Sequence, residues 1–249
     1  MTQQPVLIKI GGNEIDDPAF LAALPAVVAA INAPVIIVHG GGKEISALQQ
    51  QMGIQPRYVD GVRITDAASL AVVEMVLCGV VNKRLVRILV NGGVDALGMS
   101  GADRGIVRAV PMQHADHEMG FTGSVAQVNG AALLDLLARG ITPVIAPICL
   151  GTESNYNVNA DHVAGAVAAA TQAERVIFVT NVPGVLVDGQ PVSRLTAAEA
   201  QTLIEDGTIF GGMIPKVQTA LQALARGVPQ VVITNLAGVR SGSGTVFVA

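Results

Sequence analysis

The sequence predicts an α/β fold in which a mainly parallel sheet is covered by helices on both faces, and three observations carry that reading. Short β-branched runs alternate along the chain with Ala- and Leu-rich stretches. Each short run is almost continuously apolar, as a parallel strand buried on both faces must be. Of the 249 residues, 51% are hydrophobic and only 14% charged, which supplies a large core and excludes intrinsic disorder.

Taken in order, strands are expected at 6–10 and 35–39, each ending in a glycine cluster, and then at 141–148, 176–180 and 231–234. Helices are expected between them at 20–31, 67–91, 131–139, 162–171, 197–204 and 216–226, where apolar residues recur at helical spacing. Ala138-Arg139-Gly140 and Ala225-Arg226-Gly227 read as helix ends with glycine just past the last turn. Helical periodicity lapses over 107–128, where a hairpin-rich insert is expected. With no repeat and no low-complexity linker, residues 1–249 read as one domain whose lobes share a continuous sheet.

Composition narrows the function. The formal net charge is −4, both halves are slightly acidic, and aromatics make up 3% with no Trp. Neither a basic track for a nucleic-acid backbone nor a base-stacking surface is available. Cys78 and Cys149 lie inside apolar runs and give no disulfide framework. The first residues lack a basic segment followed by a long apolar one, and no apolar run is long enough to span a bilayer. A cytoplasmic protein without a membrane partner is the expectation.

Chemistry gathers where the first two strands end. Lys9-Ile10-Gly11-Gly12 and His39-Gly40-Gly41-Gly42 place glycines at the carboxyl ends of consecutive strands, where ligands bind open parallel sheets. Glycine there permits either a tight turn or a close approach of backbone N–H groups to an anion. The chain has only four lysines, Lys9, Lys43, Lys83 and Lys216. Lys9 closes an apolar strand and Lys216 follows Gly211-Gly212-Met213-Ile214-Pro215, contexts in which an ammonium either snorkels to water or meets an anion. Asn155, Asn157, Asn159 and Asp161 crowd the approach to the helix at 162–171, more capping residues than one helix start requires. His114, His117 and His162 do not form a metal-binding pattern, and no protein-held metal is expected.

These strings, with Gly61-Val62-Arg63-Ile64-Thr65-Asp66, Asn82-Lys83 and Ser100-Gly101-Ala102-Asp103, stand in the order seen in N-acetylglutamate kinases. Over essentially its whole length the chain resembles the amino acid kinase family, most specifically through Asn157-Val158-Asn159-Ala160-Asp161 and Gly211-Gly212-Met213-Ile214-Pro215-Lys216. The resemblance implies a three-layer α/β/α sandwich of the carbamate kinase type. Its acid-binding lobe would span about 1–170 and its nucleotide lobe about 171–249. It implies that Lys9 and Lys216 flank the transferred phosphoryl group and that Asp161 holds both lysines. It further implies that Gly11, Gly12, Asn181 and Gly212, with Lys216, serve the nucleotide. Gly41, Gly42, Arg63 and Asn157 would serve the acid, with Arg63 in a polar loop clamping its α-carboxylate. Mg²⁺ would arrive on ATP. A carboxylate nucleophile is already ionised, so positioning and charge neutralisation suffice without a general base.

The implied reaction is phosphorylation of the side-chain carboxylate of N-acetyl-L-glutamate, a step of arginine biosynthesis. Asn181, with Pro183-Gly184, is closer to kinases that act on α-aminoadipate attached to a small acidic carrier protein in lysine biosynthesis. Carrier-linked α-aminoadipate or glutamate is therefore the alternative substrate, with Lys83, Arg84, Arg87, Arg104 and Arg108 as the docking face for the carrier. A non-catalytic regulator is the third reading. Because the first strand begins near residue 6, the resemblance implies a homodimer without arginine feedback.

Overall fold

An eight-stranded, mainly parallel sheet forms the middle layer of the computed structural model, which describes residues 3–187 and 189–248. In spatial order the strands are Arg194–Thr196, Thr245–Val248, Val231–Thr234, Arg175–Val179, Val6–Ile10, Val35–His39, Thr142–Ala146 and Ala96–Ser100. Neighbours run parallel except where Thr245–Val248 meets Val231–Thr234. The sheet is continuous across both halves of the chain.

Alternation of side chains along each strand divides the core in two. Val6, Ile8, Ile10, Val35 and Ile37 point to one face, against Leu24 and Val28 of the helix Pro18–Ala29 and Leu85 and Leu89 of the helix Asn82–Asn91. Leu7, Ile36 and Val38 point to the other, against Val163 and Val167 of Ala160–Ala170. Val217, Ala220 and Leu224 of Met213–Ala225 join that second core. The result is the α/β/α sandwich. Fully burying side chains of this size contributes about 1.5–3 kcal/mol each.

Two expected elements are interrupted. The strand expected at 141–148 stops at Ala146, and after Pro147 the chain enters a different sheet as Ile148–Leu150. That strand closes a small barrel with Val107–Pro111, Thr122–Val128 and Asn155–Val158, so the hairpin expected at 107–128 is present with additional walls. The helix expected at 67–91 is α-helical over Ala67–Glu74, π-helical over Met75–Val81 and α-helical again over Asn82–Asn91. Strands Ala96–Ser100, Arg194–Thr196 and Thr245–Val248 and the helix Gly42–Gln51 were not expected from the sequence.

Candidate active site

Strand parity places the first charged pair. Lys9 shares a face with Leu7, so its side chain emerges beside the start of the helix Ala160–Ala170. Asp161 lies in the first turn of that helix, whose N-cap Asn159 accepts from the Asp161 N–H at 2.8 Å. Lys9 Nζ and Asp161 Oδ1 are 2.7 Å apart. They line a 290 Å³ cavity with Gly11, Gly12, Gly212 and Lys216. Lys216 enters from the helix Met213–Ala225, in the opposite half of the chain. Asp161 was expected to hold both lysines, yet among the described residues Lys216 makes no ion pair. Lys216 shares the cavity with the carboxylate that Lys9 reaches without pairing to it.

The two glycine loops meet backbone to backbone. Gly12 opens the short helix Gly12–Ile15 and Gly42 opens Gly42–Gln51, so two sets of unpaired helix N–H groups face one space. A Cβ on Gly12 would lie 3.1 Å from the Gly42 nitrogen, which explains the glycine there. A Cβ on Gly41 would meet Leu77 and Val81, both in the π-helical segment. Gly12, Gly41 and Gly42 line a 710 Å³ cavity together with Arg63 and Asn157.

Arg63 is not in a loop. It sits in Val62–Ile64, paired antiparallel with Arg57–Val59 through the turn Asp60-Gly61, where both residues have positive φ (48° and 76°). Val59-Asp60-Gly61-Val62 is the hairpin signature that could have shown this. The buried guanidinium donates to Gln49 Oε1, to Gly42 O at 3.2 Å and to Ser46 Oγ at 2.9 Å. It stacks on Tyr58 at 4.8 Å, and burial pulls its pKa below the usual arginine value. Asn157 Nδ2 donates to Thr65 Oγ1 at 3.0 Å, and Thr122 Oγ1 donates to Arg63 O at 2.6 Å, tying the barrel to the arginine hairpin. Asn155 instead donates to Glu74 Oε1 at 2.8 Å, away from the shared lining.

Asn181 lines a third cavity, of 550 Å³, with Asp17, Lys43 and Asn235. Asn13 lines all three cavities, and sequence reasoning missed it, as it missed Ser46, Tyr58 and Thr122 in the largest. Burial pushes Cys78 up to about 11 and Cys149 to about 12, so both thiols stay protonated and neither is a nucleophile at neutral pH. Of the residues expected to dock an acidic carrier, Lys83, Arg87, Arg104 and Arg108 are exposed and Arg84 is half-buried. Lys83 Nζ donates to Gly98 O at 3.1 Å and Arg84 pairs with Glu44, while Arg104 and Arg108 line a separate 370 Å³ cavity. No helix among the described residues is long and apolar enough to cross a membrane.

A family model described as the amino acid kinase family matches residues 4–235. A relative named acetylglutamate kinase, from Roseiflexus sp. strain RS-1, is 53% identical over 242 residues, which is 97% of this chain and 93% of that protein. Among solved structures, smu.665 from Streptococcus mutans UA159 superposes with a TM-score of 0.83 at 31% identity, covering 98% of each chain. Carbamate kinase from Giardia lamblia shares the fold, with a TM-score of 0.72 at 12% identity over 99% of this chain and 98% of that one.

Proposed function

Because the chain belongs to the amino acid kinase family, we propose the division of labour among the residues around its glycine crevice. The protein is an ATP-dependent kinase that phosphorylates the side-chain carboxylate of N-acetyl-L-glutamate, giving an acyl phosphate for arginine biosynthesis. The observation that supports the assignment of roles is the adjacency of two cavities that share Gly12 and Asn13. One carries Lys9, Asp161 and Lys216; the other carries Gly41, Gly42, Arg63 and Asn157.

In this reading the acid occupies the 710 Å³ cavity, within a lobe of about residues 1–170. Arg63 and Asn157 hold it there. ATP, carrying Mg²⁺, lies on the side of Asn181, Gly212 and Lys216, within residues 171–249. The γ-phosphoryl group passes between them at Gly11, Gly12, Gly41 and Gly42. The substrate carboxylate attacks phosphorus and the bond to the ADP oxygen breaks, so negative charge spreads over the transferring oxygens and the leaving group. Glycine N–H groups and the ammonium groups of Lys9 and Lys216 are the donors at that charge, and Asp161 orients Lys9. The carboxylate is ionised at neutral pH and no proton is removed. The active form is a cytoplasmic homodimer.

A coupled assay of ADP release with MgATP tests the substrate. N-acetyl-L-glutamate should give the highest kcat/KM, well above N-acetyl-α-aminoadipate, free glutamate and UMP. A preference for the longer acid would replace the acetylglutamate reading with the lysine-type one.

A further inference from the structure

We propose that His39 and Asn82 are positioning residues that aim the Gly41 N–H at the transferring phosphoryl group, an inference that rests on the kinase reading above. His39 ends the second strand on the same face as Val35 and Ile37, so it points away from Asp161 and into the core formed with the helix Asn82–Asn91. It is fully buried, an unusual place for an imidazole with no part in proton transfer.

Its tautomer is set by its neighbours. Asn82 Oδ1 accepts from Lys83 Nζ at 3.0 Å, and Asn82 Nδ2 donates to Val144 O at 2.9 Å, with Met99 O at 3.3 Å a weaker acceptor sharing a hydrogen. Three partners thus fix which end of the amide is nitrogen, and that nitrogen also lies 3.1 Å from His39 Nε2. An amide nitrogen can only donate, so Nε2 accepts and the single proton resides on Nδ1. Nδ1–H then donates to Gly40 O at 2.9 Å. The Gly40 N–H is itself held by Ile10 O at 2.9 Å. Both sides of Gly40 are therefore pinned to the sheet.

A planar trans peptide carries its C=O and the following N–H in opposite directions. Holding the Gly40 carbonyl toward the buried imidazole turns the Gly41 N–H away from it, toward the cavity that Gly40, Gly41 and Gly42 line. Without side chains, these glycines depend on contacts to their backbone to fix that plane; on the far side Gly41 O accepts from the Ile45 N–H at 3.1 Å, and the Gly40 carbonyl is left to His39. Burial lowers the His39 pKa to about 4, so the ring stays neutral and keeps the tautomer at working pH.

The test compares wild type, His39→Asn, His39→Leu and Asn82→Leu. Asparagine places a donor nitrogen at the reach of Nδ1 and should keep kcat within about threefold, whereas His39→Leu should lose on the order of tenfold or more, with KM for both substrates little changed. Asn82→Leu leaves His39 in place but frees its tautomer, and should show an intermediate kcat loss even if His39→Leu fails to fold. In [¹⁵N]glycine-labelled protein the Gly41 amide resonance should move in both leucine variants and stay near the wild-type position in His39→Asn. A purely packing role makes the opposite ordering, with leucine tolerated better than asparagine at a fully buried site and the Gly41 resonance unmoved, and would overturn the proposal. Wild type inactive on every acid would refute the kinase reading, while the Gly41 resonance would still decide the positioning.

Discussion

Lys9 and Asp161 form an ion pair of 2.7 Å across the end of the first strand and the first turn of the helix Ala160–Ala170, with the two side chains 17% and 24% exposed. Both side chains are mostly shielded from water, so desolvation offsets much of the Coulomb gain and the pair adds little net stability. Its value is geometric, holding an ammonium at the mouth of the glycine loops. Asp161→Asn should therefore lower kcat strongly while shifting Tm by only a few degrees and leaving ATP binding measurable by calorimetry. The wild-type pH–rate profile should show no limb that disappears in Asp161→Asn. A limb that did disappear would make Asp161 a general base.

Lys9→Ala and Lys216→Ala should each lower kcat by about 10²–10³-fold, the scale for losing one preorganised transition-state donor. KM for the acid should change far less, because these charges matter most as the phosphoryl group moves. Lys216 makes no ion pair among the described residues, so its removal should also leave thermal stability nearly untouched. Steady-state kinetics with both substrates varied checks this. An unchanged kcat with raised KM would remove the lysine from the catalytic step.

The strands carrying Lys9 and His39 were legible because a continuous apolar run is how a buried parallel strand must read, and five of the eight sheet strands were found that way, these two also closed by glycines. Thr245–Val248 follows too closely on Gly242 and Gly244 to stand out, and Arg194–Thr196 has only three residues. The π-helical turn at Met75–Val81 was illegible because its apolar sequence fits an α-helix equally well; it is the packing of Leu77 and Val81 on Gly41 that accompanies the wider turn. Lys9, Asp161 and Lys216 were identified by residue type, and their cavity by the glycines beside them. Asn13, Ser46 and Tyr58 were not, since a polar residue in a first helical turn or a hairpin is common and only the fold shows which cavity it lines.

His39 gives a pH signature separate from activity. The unfolded imidazole takes up its proton near 6.5 and the folded one only near 4, chiefly because of burial, with Arg84 and Lys83 adding positive charge nearby. Between those values the unfolded chain binds more protons, so stability falls as pH falls. The contribution is complete above about pH 6.5 and lost by about pH 4, in total roughly 3 kcal/mol at about 1.4 kcal/mol per tenfold step. His162, also lowered by burial, acts in the same direction, so the measurement is the difference between wild type and His39→Asn. Urea unfolding at several pH values should show a shallower acid loss in the variant. Parallel curves would mean that His39 titrates normally.

Arg63 separates substrate binding from chemistry. Its guanidinium already donates to Gln49, to Gly42 O and to Ser46 Oγ, and lies on the Tyr58 ring. One end of the group is thus built into the wall of the 710 Å³ cavity, and a substrate carboxylate would have to displace Ser46 or Gly42 O to be gripped by two parallel N–H donors. A lysine reproduces the charge but neither the fork nor the stacking. In the proposed reading the gripped carboxylate is the α one, distant from the transferred group, so the contact would be nearly equal in ground and transition states. Arg63→Lys should raise KM for the acid about tenfold or more, consistent with about 1.5–3 kcal/mol for a hydrogen bond to a charged group, with a smaller fall in kcat. KM for ATP should move little, because the proposal puts the nucleotide toward Asn181 and Lys216. A selective loss of ATP affinity would place Arg63 on the nucleotide and overturn the division of the crevice. If instead both Michaelis constants stayed fixed while Tm fell, Arg63 would serve only to tie the hairpin to the helix Gly42–Gln51, through the same bonds to Gln49 and Ser46.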